Sequence, residues 1–123
     1  MKDSKKILIV EDETPMARAL AMKFKKEGFE TEISNNGKEA LELIKKRDFD
    51  LVLLDLIMPE EDGFHVLNQV KEEKINAKII ISSNLSQQED INRAKKLGAV
   101  DYFVKSDTPI VEVVRKVKEN LEE

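Results

Sequence analysis

Leu51-Val52-Leu53-Leu54-Asp55 is the stretch from which the fold can be read. Four consecutive apolar residues end abruptly in a carboxylate. Leu56, Ile57, Met58 and Pro59 follow, and Glu60-Glu61-Asp62-Gly63 forms a turn. An apolar run of this length between polar turns predicts a strand buried on both faces, as in parallel sheets. Functional residues of such sheets sit at the carboxyl ends of the strands, which is where Asp55 falls.

The rest of the chain repeats the pattern. Lys6 to Val10 is a second apolar run and predicts the first strand. Thr14 as N-cap and Pro15 in the first turn predict a helix, with Met16, Ala19, Leu20, Ala21 and Phe24 at helical spacing and Gly28 as its end. Glu30 to Ser34 is a more polar strand, hence nearer an edge. Asn36 caps a second helix with Ala40, Leu41, Leu43 and Ile44 inward. Asp50 to Asp55 is the third strand. Gly63 opens a third helix that buries Phe64, Val66, Leu67 and Val70. Lys78 to Ser82 is the fourth strand, and Ser86-Gln87-Gln88-Glu89 has the form of a capping box opening a fourth helix through Ile91, Ala94 and Leu97 to Gly98. Val100 to Val104 is the fifth strand. Thr108-Pro109 repeats the cap-and-proline signal before a last helix with Ile110, Val113, Val114, Val117 and Leu121 inward. Five strands alternating with five helices predict an α/β fold, a parallel sheet covered on both faces through right-handed crossovers.

Length and composition narrow the function. A chain of 123 residues suits one domain over 1–123, with no room for a second. It contains no cysteine, which excludes a disulfide scaffold, a thiolate metal site and a cysteine nucleophile. The net charge of −4 is the opposite of a DNA-binding footprint, so no direct nucleic-acid contact is expected. No signal peptide or membrane span is visible, and a cytoplasmic protein is expected.

The residues just after the strands carry the chemistry. They are Glu11 and Asp12, Asp55, Ser83 and Lys105. The fold would bring three carboxylates, a hydroxyl and an ammonium to one crevice. Clustered carboxylates repel one another and call for a cation, and oxygen ligands suit Mg²⁺ or Mn²⁺. Lys105 would meet a phosphoryl oxygen as a point charge and Ser83 would donate a hydrogen bond. The set points to phosphoryl transfer onto a carboxylate. Taken singly, Asp55 could cap a turn, Asp12 could complement a helix dipole and Tyr102 could be a half-buried strand aromatic. His65 has no second histidine to share a metal and reads as a surface residue. Met16, Met22 and Met58 read as packing.

With these residues in order, the chain resembles the receiver domain of two-component response regulators over its whole length. The resemblance rests on Glu11-Asp12, the Asp55-Leu56-Ile57-Met58-Pro59 run with Asp62-Gly63, Ser83, the Gly98 to Tyr102 stretch, and Lys105. It implies a flavodoxin-like sheet of order 2-1-3-4-5. It also implies a sensor histidine kinase or phosphotransfer protein as donor, Asp55 as acceptor, and Mg²⁺ held by Glu11, Asp12, Asp55 and the Ile57 backbone carbonyl. Ser83 and Tyr102 would shift on phosphorylation, and Lys105 would pair with the phosphate. The face of the fourth helix, fifth strand and fifth helix would then control a downstream protein or output domain, with a phosphorylation-dependent homodimer as one form of output.

Three positions depart from the family pattern. Ser106 follows Lys105 where a cis proline is usual, so a trans bond and an altered Lys105 loop are expected. Asn84 stands where a small residue is usual; it is expected among the phosphate-binding and switch residues, where it would crowd or rewire the path of Ser83. Ile57 and Leu85 are apolar at the positions flanking the hydrolytic water, so slow autodephosphorylation is expected. The rival readings are a receiver cut from a longer DNA-binding regulator, a Mg²⁺-dependent phosphohydrolase with Asp55 as nucleophile, a flavodoxin-like FMN binder and a pseudo-receiver scaffold. Ile57 stands where the phosphohydrolase needs a second acid, and Glu11-Asp12-Glu13 would repel a flavin phosphate.

Overall fold

The computed structural model describes residues 5–58 and 62–122. Five strands and five helices alternate: β1 (Lys6–Val10), α1 (Thr14–Lys26), β2 (Glu30–Ser34), α2 (Gly37–Lys46), β3 (Leu51–Leu54), α3 (Gly63–Glu72), β4 (Lys78–Ser83), α4 (Gln88–Lys96), β5 (Asp101–Val104) and α5 (Ile110–Leu121). The strands form one sheet, ordered β2-β1-β3-β4-β5, and every pairing is parallel. This is the architecture that the sequence predicts.

β3 lies at the centre because all four of its residues are apolar and buried. Alternate side chains leave opposite faces. Leu51 and Leu53 join Ile7, Ile9, Phe24, Phe103 and Val117 under α1 and α5. Val52 and Leu54 join Leu8, Ile44, Leu67, Ile79 and Ile81 under α2, α3 and α4. Each fully buried Leu or Ile contributes about 1.5–3 kcal/mol, so two cores hold the sheet between them. β2 is the more polar edge, as expected, with only Ser34 fully buried.

The helix starts correct three expectations. Glu13, not Thr14, is the N-cap of α1, and its side chain makes no capping bond. Gln87 precedes α4 without a capping side chain, so the Ser86 capping box does not form. Pro109 precedes α5, while the Thr108 hydroxyl donates instead to the Val104 carbonyl at 2.8 Å. Thr108 is thus taken by a carbonyl outside the helix, and α1 and α4 start without a side-chain cap. Asn36 does cap α2, accepting from the Glu39 N–H at 2.8 Å. Asp50, Asp55 and Val100 flank strands rather than belonging to them. Ser83 closes β4. Met22 is 64% exposed and so is not core packing. The turn expected over Pro59, Glu60 and Glu61 lies outside the described residues. Gly28 and Gly98, at φ +96° and +108°, end α1 and α4 in the left-handed region that glycine enters without strain.

Candidate functional site

The carboxyl edge of the sheet gathers the expected residues. Asp55 directly follows β3, and its N–H bonds the Val10 carbonyl at 3.1 Å, which carries the β1–β3 pairing one step past the strands. Glu11 is likewise held to the Ser34 carbonyl through its N–H at 3.0 Å. Backbone pairing therefore places both carboxylates, and both are buried, with Glu11 2% and Asp55 4% exposed. Asp12 stands beside them and is exposed. Glu11, Asp12 and Asp55 each offer one oxygen, all within 4.8 Å of one another.

Lys105 closes the cluster from the far side. Its Nζ lies 2.9 and 3.0 Å from the Glu11 oxygens and 3.0 Å from Asp55 Oδ2. Glu13 stands further out, at 3.7 Å. The other Asp55 oxygen, Oδ1, accepts the Ile57 N–H at 3.1 Å. Glu11 Oε2 accepts the Glu13 N–H at 3.2 Å. One ammonium thus serves two buried carboxylates. Burial pushes the Glu11 carboxyl up, and the Lys105 and Glu13 hydrogen bonds offset this only in part. Burial also opposes the charge of Lys105, but its bonds to Glu11 and Asp55 outweigh that and hold the ammonium above its usual range. The two shifts agree physically, since the shared cation gains two partners while each acid loses its water and gains one cation in common.

Ser83 is fully buried, and its Oγ accepts the Leu85 N–H at 3.3 Å. The Tyr102 hydroxyl donates to the Leu85 carbonyl at 2.6 Å. Burial raises the Tyr102 pKa, with Asp90 and Asp55 adding to it. Ser83 and Tyr102 therefore hold the two backbone groups of Leu85, its N–H and its carbonyl, which belong to adjacent peptides. The Lys105–Ser106 bond is trans, as no cis bond occurs among the described residues, and Lys105–Asp107 forms a short 3-10 turn. The Asn84 side chain, expected beside the phosphate, accepts the Ser106 N–H at 3.0 Å. Ile57, beside the acceptor, is 54% exposed. His65 is exposed at the start of α3, where its N–H bonds the Asp62 cap at 3.0 Å.

Two features were not read from the sequence. One is the Asn84–Ser106 bond, which joins residues 22 positions apart and has no local signature. The other is the close fit of Gly63. A Cβ there would lie 2.4 Å from the Asp55 carbonyl oxygen and 2.6 Å from the Leu56 Cα. Any side chain at 63 would displace the backbone that carries the acceptor, and the Asp62-Gly63 pair in the sequence was the available signal.

The family model of the response regulator receiver domain matches residues 7–116. The chain belongs to this family. Among curated relatives, this receiver domain is 39% identical over 117 residues to the transcriptional regulatory protein SrrA of Staphylococcus aureus, covering 94% of this chain and 47% of SrrA. It thus spans about half the length of the curated relatives it matches. Among solved structures, it is similar to the Francisella response regulator 1452 receiver domain, with TM-score 0.89 and 32% identity over 94% of this chain and 95% of that one. It is also similar to the response regulator TrrA of Thermotoga maritima, solved in complex with Mg²⁺-BeF, with TM-score 0.82 and 34% identity over 94% and 97% of the two chains.

Proposed function

We propose that Asp55 is the phosphoacceptor of this receiver domain, with a sensor histidine kinase or phosphotransfer protein as donor. The observation that carries this is the buried Asp55 carboxylate beside Glu11 and Asp12, with the Lys105 ammonium 3.0 Å from Oδ2. An Asp55 oxygen attacks phosphorus, and the bond from phosphorus to the donor breaks as the acyl phosphate forms. Lys105 then meets a phosphoryl oxygen and Ser83 donates its hydroxyl proton to another. Moving Ser83 withdraws its bond to the Leu85 N–H, and Tyr102, bonded to the carbonyl of the same residue, shifts with it.

The three close carboxylates fit Mg²⁺, with Mn²⁺ as a substitute, because both prefer oxygen donors. Glu11, Asp12, Asp55 and the Ile57 carbonyl would hold the ion, which when bound neutralises charge on the incoming phosphoryl group. Output runs through α4, β5 and α5. Of these, α4 buries only Ala94 among its residues, so little apolar contact opposes its repositioning. The domain acts on its own acyl phosphate, in the cytoplasm, and turns over no external product.

The test is intact-protein mass after incubation with acetyl phosphate and Mg²⁺. One Mg²⁺-dependent phosphoryl adduct is expected, absent in Asp55→Ala. An adduct that survives in the variant would place the acceptor elsewhere. The apolar Ile57 and Leu85 cannot orient a water, so the adduct should outlive that of Ile57→Asn. Equal lifetimes would overturn that part.

A second reading is a receiver that controls a DNA-binding output on the same polypeptide. The relationship to SrrA, a transcriptional regulatory protein twice as long, favours it. Phosphorylation-dependent dimerisation, read by light scattering with and without acetyl phosphate, is its expected signature.

A further inference from the structure

The Asn84 side chain spans two loops that flank the phosphate-holding residues. The β4–β5 pairing ends at Ser83 opposite Val104. Past this rung the two chains enter separate loops, and Asn84 Oδ1 takes the Ser106 N–H at 3.0 Å. The bond acts as one more rung made by a side chain. It sits one residue after Ser83 and one residue after Lys105. It also requires that residue 106 carry an N–H, which proline would lack. The other end of the turn is held separately, with the Thr108 hydroxyl on the Val104 carbonyl at 2.8 Å and the Thr108 N–H on the Lys105 carbonyl at 3.3 Å.

Lys105 has a long, flexible side chain, so where its Nζ rests depends on where the turn holds its Cα. We infer that Asn84 is a positioning residue for phosphoryl transfer, holding the Lys105 turn against β4 so that Nζ faces Asp55. The Asn84 side chain acts through the Ser106 N–H. This rests on Asp55 being the phosphoacceptor.

The test measures the rate of adduct formation with acetyl phosphate and Mg²⁺, together with the denaturant midpoint. The proteins are the parent, Asn84→Ala, Ser106→Pro and the double variant. Loss of one net hydrogen bond corresponds to about a fivefold change, so Asn84→Ala should slow the adduct by about that factor. In the Ser106→Pro background, where the donor is already gone, Asn84→Ala should leave the rate unchanged. A lower midpoint with an unchanged rate would make Asn84 a loop stabiliser only and overturn the inference. Equal slowing in both backgrounds would overturn it as well, since Asn84 would then act by another route. A parent that takes no adduct overturns the acceptor reading and this inference together, whereas an adduct on the parent with Asn84→Ala unaffected overturns this inference alone.

Discussion

Asp50 and Asp55 bracket the same strand and have opposite surroundings. Asp50 precedes β3 at the amino edge of the sheet, where its Oδ2 accepts the Lys6 N–H at 2.8 Å and its own N–H bonds the Lys6 carbonyl at 2.9 Å. It joins two strands and has access to water. Asp55 follows β3 at the carboxyl edge, buried, next to two further acids and sharing one ammonium with Glu11. Nearby charges at the amino edge pair simply, as Arg47 does with Glu32 on the surface. Such exposed pairs contribute about 0–1 kcal/mol. The carboxyl edge instead keeps more buried negative charge than it compensates. Such an arrangement marks a candidate site that a ligand would complete.

The sharpest way to break this contrast is Lys105→Ala. It leaves Glu11 and Asp55 buried without a cation, and an expected loss of roughly 3–5 kcal/mol follows. Urea unfolding should show it, and Mg²⁺ should recover part of the loss by binding the folded state alone. A variant as stable as the parent would mean that water already compensates the acids.

Asp50→Ala should cost less, about 1 kcal/mol, as one side-chain bond to the Lys6 N–H is lost. It should also leave the Asp55 adduct rate untouched. A slowed adduct would show that the two ends of β3 are coupled.

The smallest effect concerns pH. The folded Glu11 carboxyl titrates above its unfolded value of 4.5, because burial disfavours its charge. Just above pH 4.5 the folded state therefore binds more protons than the unfolded chain. Through this group, stability falls as pH rises from 4.5 through the folded pKa, and the cost of ionising a buried acid persists at neutral pH. Glu11→Gln should remove that component, so its unfolding free energy should fall less than the parent's between pH 4.5 and neutrality without Mg²⁺. Parallel pH curves would show that Lys105 fully compensates Glu11.

Much of this was legible in order of residues. The apolar run Leu51 to Leu54 can only be buried on both faces, and the alternation around it dictates a parallel sheet with its acids at one edge. Asp55 and Lys105 could be named because each puts a charge directly after a strand, Asp55 after a wholly apolar one. Three helix caps were misread, at Thr14, Ser86 and Thr108. Thr108 found the Val104 carbonyl instead.

The alternation of elements, the central place of β3 and the identity of the charged residues at its carboxyl edge follow from the order of residues alone, because hydrophobic periodicity is a local property of the chain. Only the tertiary structure decided that one ammonium serves both Glu11 and Asp55, that Gly63 presses on the acceptor's backbone and that Asn84 holds Ser106. These are contacts between residues far apart along the chain. Their distances depend on how strands stack and loops turn, and no local pattern encodes them.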